Sequence, residues 1–192
     1  MKAQVIDKVR FRDMPWANGG GVTKELFAHI DQQSGRILWR ISMAGVHSDG
    51  PFSHFDGYDR VLVLLEGHGL KLSHRDGTRH ELSCAYEMAA FPGDVVTHAI
   101  LSDGPVQDFN VIVDRATFSP AVTLVQHGNN RCPIKADTLA VFAIDNDLLI
   151  TDPGMDNYPL QKGDLLLVDA PHQGNWTFDG ATTIVTQLLR MA

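Results

Sequence analysis

The chain has little of what several large protein classes require. Its 192 residues include only two cysteines, Cys84 and Cys132, which fit a reducing compartment as small apolar side chains. No apolar run approaches the length of a membrane-spanning helix, and the first residues contain no apolar signal core. A net charge of −7 without a run of Lys or Arg argues against nucleic acid or an anionic membrane as partner. We therefore expect a cytoplasmic globular protein.

Short strand signals dominate what is present. Segments rich in Val, Ile, Leu, Phe or Thr alternate with Gly, Pro, Asn and Asp, and no long segment has the apolar periodicity of a helix. Repeated short strands with turn signals predict a sandwich or a barrel. The predicted strands are 22–30, 38–46, 60–66, 95–101, 106–113, 121–126, 139–144, 148–151, 164–168 and 181–189.

A faint repeat divides the chain into two halves. In each half an apolar strand is followed by a Gly-Asp turn that opens another strand, at Gly93-Asp94 and at Gly163-Asp164. This order predicts an N-terminal barrel over residues 1–115 and a shorter C-terminal barrel over 116–192, with strands that can be exchanged between them. The clusters of polar residues precede residue 115, so we expect the ligand pocket in the first barrel.

Four segments taken together resemble the HutD/Ves family: residues 15–25, 39–42, 49–69 and 108–111. The resemblance implies an all-β bicupin fold, that is, two tandem cupin-like antiparallel β-barrels of the jelly-roll type. For the HutD branch it also implies a place in histidine utilisation. There it implies a regulatory role and binding of an intermediate such as formiminoglutamate or urocanate, with no defined enzyme activity.

The positions where a cupin holds its metal are occupied by other residue types. Such a site needs two histidines two residues apart, a glutamate and a further histidine. The corresponding positions hold Ser53, Phe55 and Arg60, and a guanidinium repels a cation. A remnant with only two ligands, His54 and His98, is the alternative. We predict no metal and no cofactor, and we interpret as ordinary turn and surface residues His54, His68, His74, His80 and His98.

Arg60 is the strongest candidate for ligand binding. It opens an apolar strand and alternates with Leu62 and Leu64, which places it on the interior face. A buried guanidinium needs an anion, and its planar fork suits a carboxylate. That carboxylate is either a ligand's or an internal partner's, Glu25 or Asp108, and both arrangements can hold together.

Other polar residues share strand faces with apolar neighbours. Arg40 lies on one face with Ser42 and Ala44, facing either solvent or a pocket. Asp108 and Asn110 share a face and can hydrogen-bond either a ligand amine or formimino group or the neighbouring loops.

A glycine-rich segment precedes the strand that begins near Val22. Three consecutive glycines after Asn18 permit a close approach to an anion or simply a tight connection. The family resemblance places Thr23 and Glu25 near the pocket together with Asn18. The predicted ligand-binding set is Arg60, Asn18, Glu25, Thr23, Arg40, Ser53, Asp108 and Asn110, and no catalytic residue is assigned.

Two functions remain open. The first is a metal-free bicupin that binds a small carboxylate and regulates histidine utilisation. The second is a metal-independent isomerase or hydrolase acting on a similar carboxylate, for which Glu25 or Asp108 would need a raised pKa to act as a base. The oligomeric state is not determined by the sequence; a homodimer is one expectation, because cupin-like sheets often pair across their edges.

We predict that the purified protein contains no stoichiometric transition metal, because Ser53, Phe55 and Arg60 cannot build the cupin cage. Elemental analysis of protein purified without chelators checks this. About one zinc, iron, manganese or nickel ion per chain, whose removal abolishes ligand binding, would contradict it.

Overall fold

The protein is built almost entirely from β-strands. The computed structural model describes residues 2–16, 21–126 and 130–191, which contain nineteen strands and one short 3-10 helix, Lys8–Arg10. The all-β expectation is thus confirmed. The strands are β1 (Lys2–Ile6), β2 (Arg12–Pro15), β3 (Gly21–Ile30), β4 (Ile37–Val46), β5 (Gly50–Pro51), β6 (Tyr58–Glu66), β7 (Leu70–His74), β8 (Arg79–Leu82), β9 (Met88–Pro92), β10 (Thr97–Leu101), β11 (Val106–Asp114), β12 (Phe118–Val125), β13 (Arg131–Ile134), β14 (Thr138–Ala143), β15 (Leu148–Thr151), β16 (Asn157–Leu160), β17 (Leu165–Asp169), β18 (Gly174–Asp179) and β19 (Thr183–Arg190).

Within these ranges, no helix has the length and apolar character needed to cross a membrane.

Each of the ten predicted strands overlaps an observed one. The nine further strands β1, β2, β5, β7, β8, β9, β13, β16 and β18 are short, and each carries a proline or a charged residue. These residues interrupt the apolar alternation on which strand prediction depends. These nine segments are extended because each pairs with a neighbouring strand.

The chain divides into two compact units. One comprises residues 11–118, and the other combines residues 1–10 with 119–192. β1 hydrogen-bonds antiparallel to β17 in the second unit, with Lys2 opposite Asp169. The main division thus lies close to the boundary expected after residue 115, and the first ten residues pack with the C-terminal unit.

The 11–118 unit is a sandwich of two sheets. One sheet has the strand order β2-β3-β4-β11-β6-β9, and the other has the order β5-β10-β7-β8. Leu62 and Leu64 of the first sheet and Leu70 and Leu72 of the second belong to one apolar cluster and are fully buried. Burial of these alternating side chains holds the two layers together.

The second unit repeats this architecture. Its sheets have the orders β1-β17-β14-β19-β12 and β13-β18-β15-β16. Leu139 and Val168 of the first sheet and Ile150 and Trp176 of the second share one apolar cluster. Each unit therefore has its own hydrophobic interior.

Candidate functional site

The strand register in the 11–118 unit aligns polar residues in rows across one face of the larger sheet. Directly opposed residues of antiparallel strands point to the same side, and here that side carries the core residues Leu62 and Leu64. The polar residues therefore face the sandwich interior. The rows are Arg60–Ile112–Arg40, Leu62–Asn110–Ser42–Glu25 and Leu64–Asp108–Ala44–Thr23.

These rows form one wall of a cavity of about 390 Å³. The segment 51–55 forms the opposite wall, where the Phe52 backbone N–H donates to the Thr97 carbonyl and that of Phe55 to the Gly93 carbonyl. The size is that of a small-molecule pocket. The lining residues are Trp16, Thr23, Arg40, Ser42, Ala44, Pro51, Phe52, Ser53, Phe55, Arg60, Asp108, Asn110 and Ile112.

Arg60 is buried, with only 6% of its surface exposed. Its Nη2 donates to Asn110 Oδ1 at 2.7 Å and its Nη1 to the Ser53 carbonyl at 3.4 Å, whereas its buried Nε has no hydrogen-bond partner among the described residues. Burial lowers the pKa of Arg60 to about 10, so the side chain is still charged at pH 7. In the described chain, no carboxylate lies within ion-pair distance of Arg60, neither Glu25 nor Asp108.

Three aromatic rings surround the Arg60 guanidinium. Its Cζ lies 5.1 Å from the ring centroid of Phe91, 5.3 Å from that of Phe52 and 5.5 Å from that of Phe55. Ring faces attract a cation and partly offset its desolvation. They do not neutralise its charge.

Asn110 links Arg60 to Asp108. Because a guanidinium can only donate, the Asn110 carbonyl oxygen must face Arg60, and its Nδ2 then donates to Asp108 Oδ1. The other carboxyl oxygen, Asp108 Oδ2, is buried and has no partner in the described structure. Burial raises the pKa of Asp108 to about 7, against the opposing effects of Arg60 and the Ala44 backbone. The carboxyl group is therefore poised between its two protonation states near neutrality.

The Thr23 hydroxyl and the Ser53 backbone are engaged in contacts within the protein. Thr23 Oγ1 accepts a hydrogen bond from Trp16 Nε1 at 2.8 Å and so orients the indole beside the cavity. Ser53 is exposed, and its backbone carbonyl is the group that meets Arg60.

The cavity brings together six of the eight predicted residues: Thr23, Arg40, Ser53, Arg60, Asp108 and Asn110. Glu25 stands opposite Ser42 in the register but is not among the lining residues. Asn18 lies outside the described residues.

The apolar and aromatic part of the cavity wall is absent from the predicted ligand-binding set. Phe52, Phe55 and Trp16 lie in or beside turn segments, where side-chain direction follows from no periodicity. Alternation had placed Ser42 on the same face as Arg40, facing either solvent or a pocket, but Ser42 is not in the predicted ligand-binding set.

No group of three or more His, Cys, Asp or Glu residues in the described chain is arranged to hold a metal ion. His54 is exposed and contacts Asp56, and His98 is exposed on β10. The interpretation of His74 as a surface residue is wrong. It is 6% exposed and hydrogen-bonds Thr97 and His80, because β7 turns it inward with Leu70 and Leu72.

A larger cavity of about 940 Å³ lies in the C-terminal unit. Its lining contains one cationic residue, Arg10, and four aspartates, Asp7, Asp147, Asp164 and Asp179. This charge balance is unfavourable to a carboxylate ligand.

Comparison with known proteins points to a single family. The HutD family model matches residues 8–186. A 21.2 kDa Pseudomonas putida protein of the hutC 3′ region is 29% identical over 166 residues, covering 86% of each chain. Protein Ves of Escherichia fergusonii is 34% identical over 105 residues, which are 53% of this chain and 54% of that protein.

Solved structures agree with this result. HutD from Pseudomonas fluorescens superposes with a TM-score of 0.85 at 27% identity, covering both chains completely. Oxalate decarboxylase of Bacillus subtilis, at 8% identity and a TM-score of 0.67 over 98% of this chain and 78% of that one, shows the fold alone. The predicted bicupin fold is confirmed. With nearly its whole length matched, the chain belongs to the HutD family, which links it to histidine utilisation.

Proposed function

We propose that this protein is a metal-free bicupin that binds a small carboxylate metabolite in the cavity of the 11–118 unit and regulates histidine utilisation in the cytoplasm. One observation carries the proposal. Arg60 is a buried charged guanidinium beside a cavity, and no protein carboxylate lies within ion-pair distance of it in the described chain. A ligand carboxylate supplies the missing anion in a charge-assisted pair.

The groups beside Arg60 favour a ligand that also carries an N–H group. Asp108 Oδ2 is an unused acceptor, and Asn110 fixes the orientation of that carboxyl group. A formimino group or an imidazole N–H suits this acceptor, as in formiminoglutamate or urocanate. The family's link to histidine utilisation supports ligands of this class.

Regulation is favoured over turnover because, apart from Asp108, the polar groups that surround Arg60 in the cavity bind rather than transfer protons: a second guanidinium, an amide and a backbone carbonyl. Occupancy of the cavity then reports the level of a metabolite. Binding to the native state alone also stabilises the protein by mass action.

One observation favours an enzyme as the second candidate. The pKa of Asp108 is raised by burial to about 7, which suits a general base or acid, and Asp108 is one of the residues that line the cavity. A metal-independent isomerase or hydrolase would use this carboxyl group. Incubating the tightest-binding ligand with the protein and analysing it for product separates the two candidates.

We expect Arg60→Ala to weaken binding of urocanate or formiminoglutamate by roughly 10- to 150-fold, which is the loss of a charge-assisted pair of about 1.5–3 kcal/mol. Arg60→Lys should recover only part of the affinity, because an ammonium lacks the bidentate fork. Isothermal titration calorimetry at fixed pH measures the affinities, and thermal unfolding establishes that each variant is folded.

Arg79→Ala is the matched control, because Arg79 is exposed on β8. It should bind like the wild type. A folded Arg60→Ala protein with unchanged affinity ends the carboxylate-clamp proposal.

Asp108 should make stability depend on pH. Between about pH 4 and pH 7 the native state retains a proton on Asp108 that the unfolded state has released, so rising pH lowers the unfolding free energy across this window. The slope from this group is about 1.4 kcal/mol per pH unit.

Urea unfolding of wild type and Asp108→Asn from pH 4 to 8 measures this slope, with the substitution of the exposed Asp103, Asp103→Asn, as control. Asn does not titrate, so the difference between wild type and Asp108→Asn should shrink or reverse with rising pH; parallel curves would refute the assignment.

A further inference from the structure

The cavity contains a second guanidinium that pairs with no carboxylate among the described residues. Arg40 lies on β4 and lines the cavity, and its buried Nε has no hydrogen-bond partner among the described residues. Burial lowers the pKa of Arg40, and Glu25 and Tyr58 only partly oppose this. Glu25 is thus close enough to influence Arg40, yet within the described chain the two form no ion pair.

Both arginines lie close to the same aromatic ring, that of Phe55. The Cζ atoms of Arg40 and Arg60 lie 5.3 and 5.5 Å from the ring centroid of Phe55, so they are at most about 11 Å apart. Their strands stand on either side of β11, with Ile112 between the two residues in the register. Strands are about 4.8 Å apart, which puts the two Cα atoms roughly 10 Å apart on the same face.

We propose that the cavity selects short dicarboxylates, with Arg60 binding one carboxylate, Arg40 binding the other, and Phe55 and Ile112 contacting the chain between them. This inference rests on the proposed carboxylate-binding function and adds Arg40 as the residue that determines specificity.

Charge balance supports two carboxylates rather than one. Arg40 and Arg60 repel each other. Among the described residues of the cavity wall, the one acidic residue is Asp108, whose Oδ1 accepts from Asn110 and whose carboxyl group is half protonated near pH 7. A monocarboxylate on Arg60 leaves Arg40 desolvated without an anion. A dicarboxylate neutralises both guanidiniums.

Glutarate and monomethyl glutarate form a matched pair of probes. They have the same chain, and the ester removes one negative charge. Calorimetric titration at pH 7.5 into the full-length protein should show glutarate binding about tenfold or more tightly than its monoester, because the second carboxylate adds a charge-assisted pair.

Three variants locate the origin of this preference. Arg40→Gln should bind glutarate and its monoester with similar affinity, because only Arg60 then remains to pair with a carboxylate. Arg40→Lys preserves the positive charge and serves as a second variant if Arg40→Gln folds poorly. It should retain part of the preference for glutarate over the monoester. Arg79→Gln, which neutralises an exposed arginine on β8, should behave as the wild type.

The possible failures are distinguishable. Equal affinity of the wild type for glutarate and its monoester overturns dicarboxylate selection and leaves carboxylate binding intact. An undiminished preference in folded Arg40→Gln overturns the role of Arg40. If the wild type binds neither probe nor urocanate nor formiminoglutamate, the proposed function itself fails.

Discussion

A charged guanidinium buried in the interior of an apolar sandwich is the constraint on which the site depends. Desolvating a cation is costly unless hydrogen bonds and an opposite charge compensate it. Within the described chain, Arg60 receives an amide oxygen, a backbone carbonyl and three aromatic rings, but no carboxylate within ion-pair distance. These contacts compensate only part of the desolvation cost, so Arg60 stays charged and can still pair with an anion. The orientation of Asn110, and through it the environment of Asp108, follows from this residue.

Apolar burial between the two sheets offsets the free-energy cost of the buried Arg60 charge. Leu62 and Leu64 continue the face that Arg60 begins, and their burial against β7 stabilises the strand that carries the charge. Backbone hydrogen bonds from Phe52 and Phe55 to the strand β10 residue Thr97 and to Gly93 fix the aromatic segment over the cavity. The rings are thereby preorganised around both arginines, which reduces the ordering that a ligand must impose.

Much of the fold and part of the site follow from alternation in the sequence. Arg60 with Leu62 and Leu64, and Asp108 with Asn110, were placed on the interior face because strand side chains alternate, and the register puts them there. Alternation could not foresee that Glu25 falls outside the cavity lining although it stands opposite Ser42, nor the direction of Phe52 and Phe55, which depends on how an irregular segment packs. His74 continues the alternation of Leu70 and Leu72, so the periodicity of β7 places it inward, whereas its polar side chain beside a turn favoured a surface position.

The most direct test of carboxylate binding by Arg60 is a crystal structure of the protein with urocanate or glutarate bound. We expect carboxylate oxygens at about 2.7–2.9 Å from the Arg60 guanidinium nitrogens, within the cavity that Phe55 and Asn110 line. A ligand bound at full occupancy but lined chiefly by residues after Pro120 would contradict the account. So would a carboxylate in the cavity that makes no contact with Arg60.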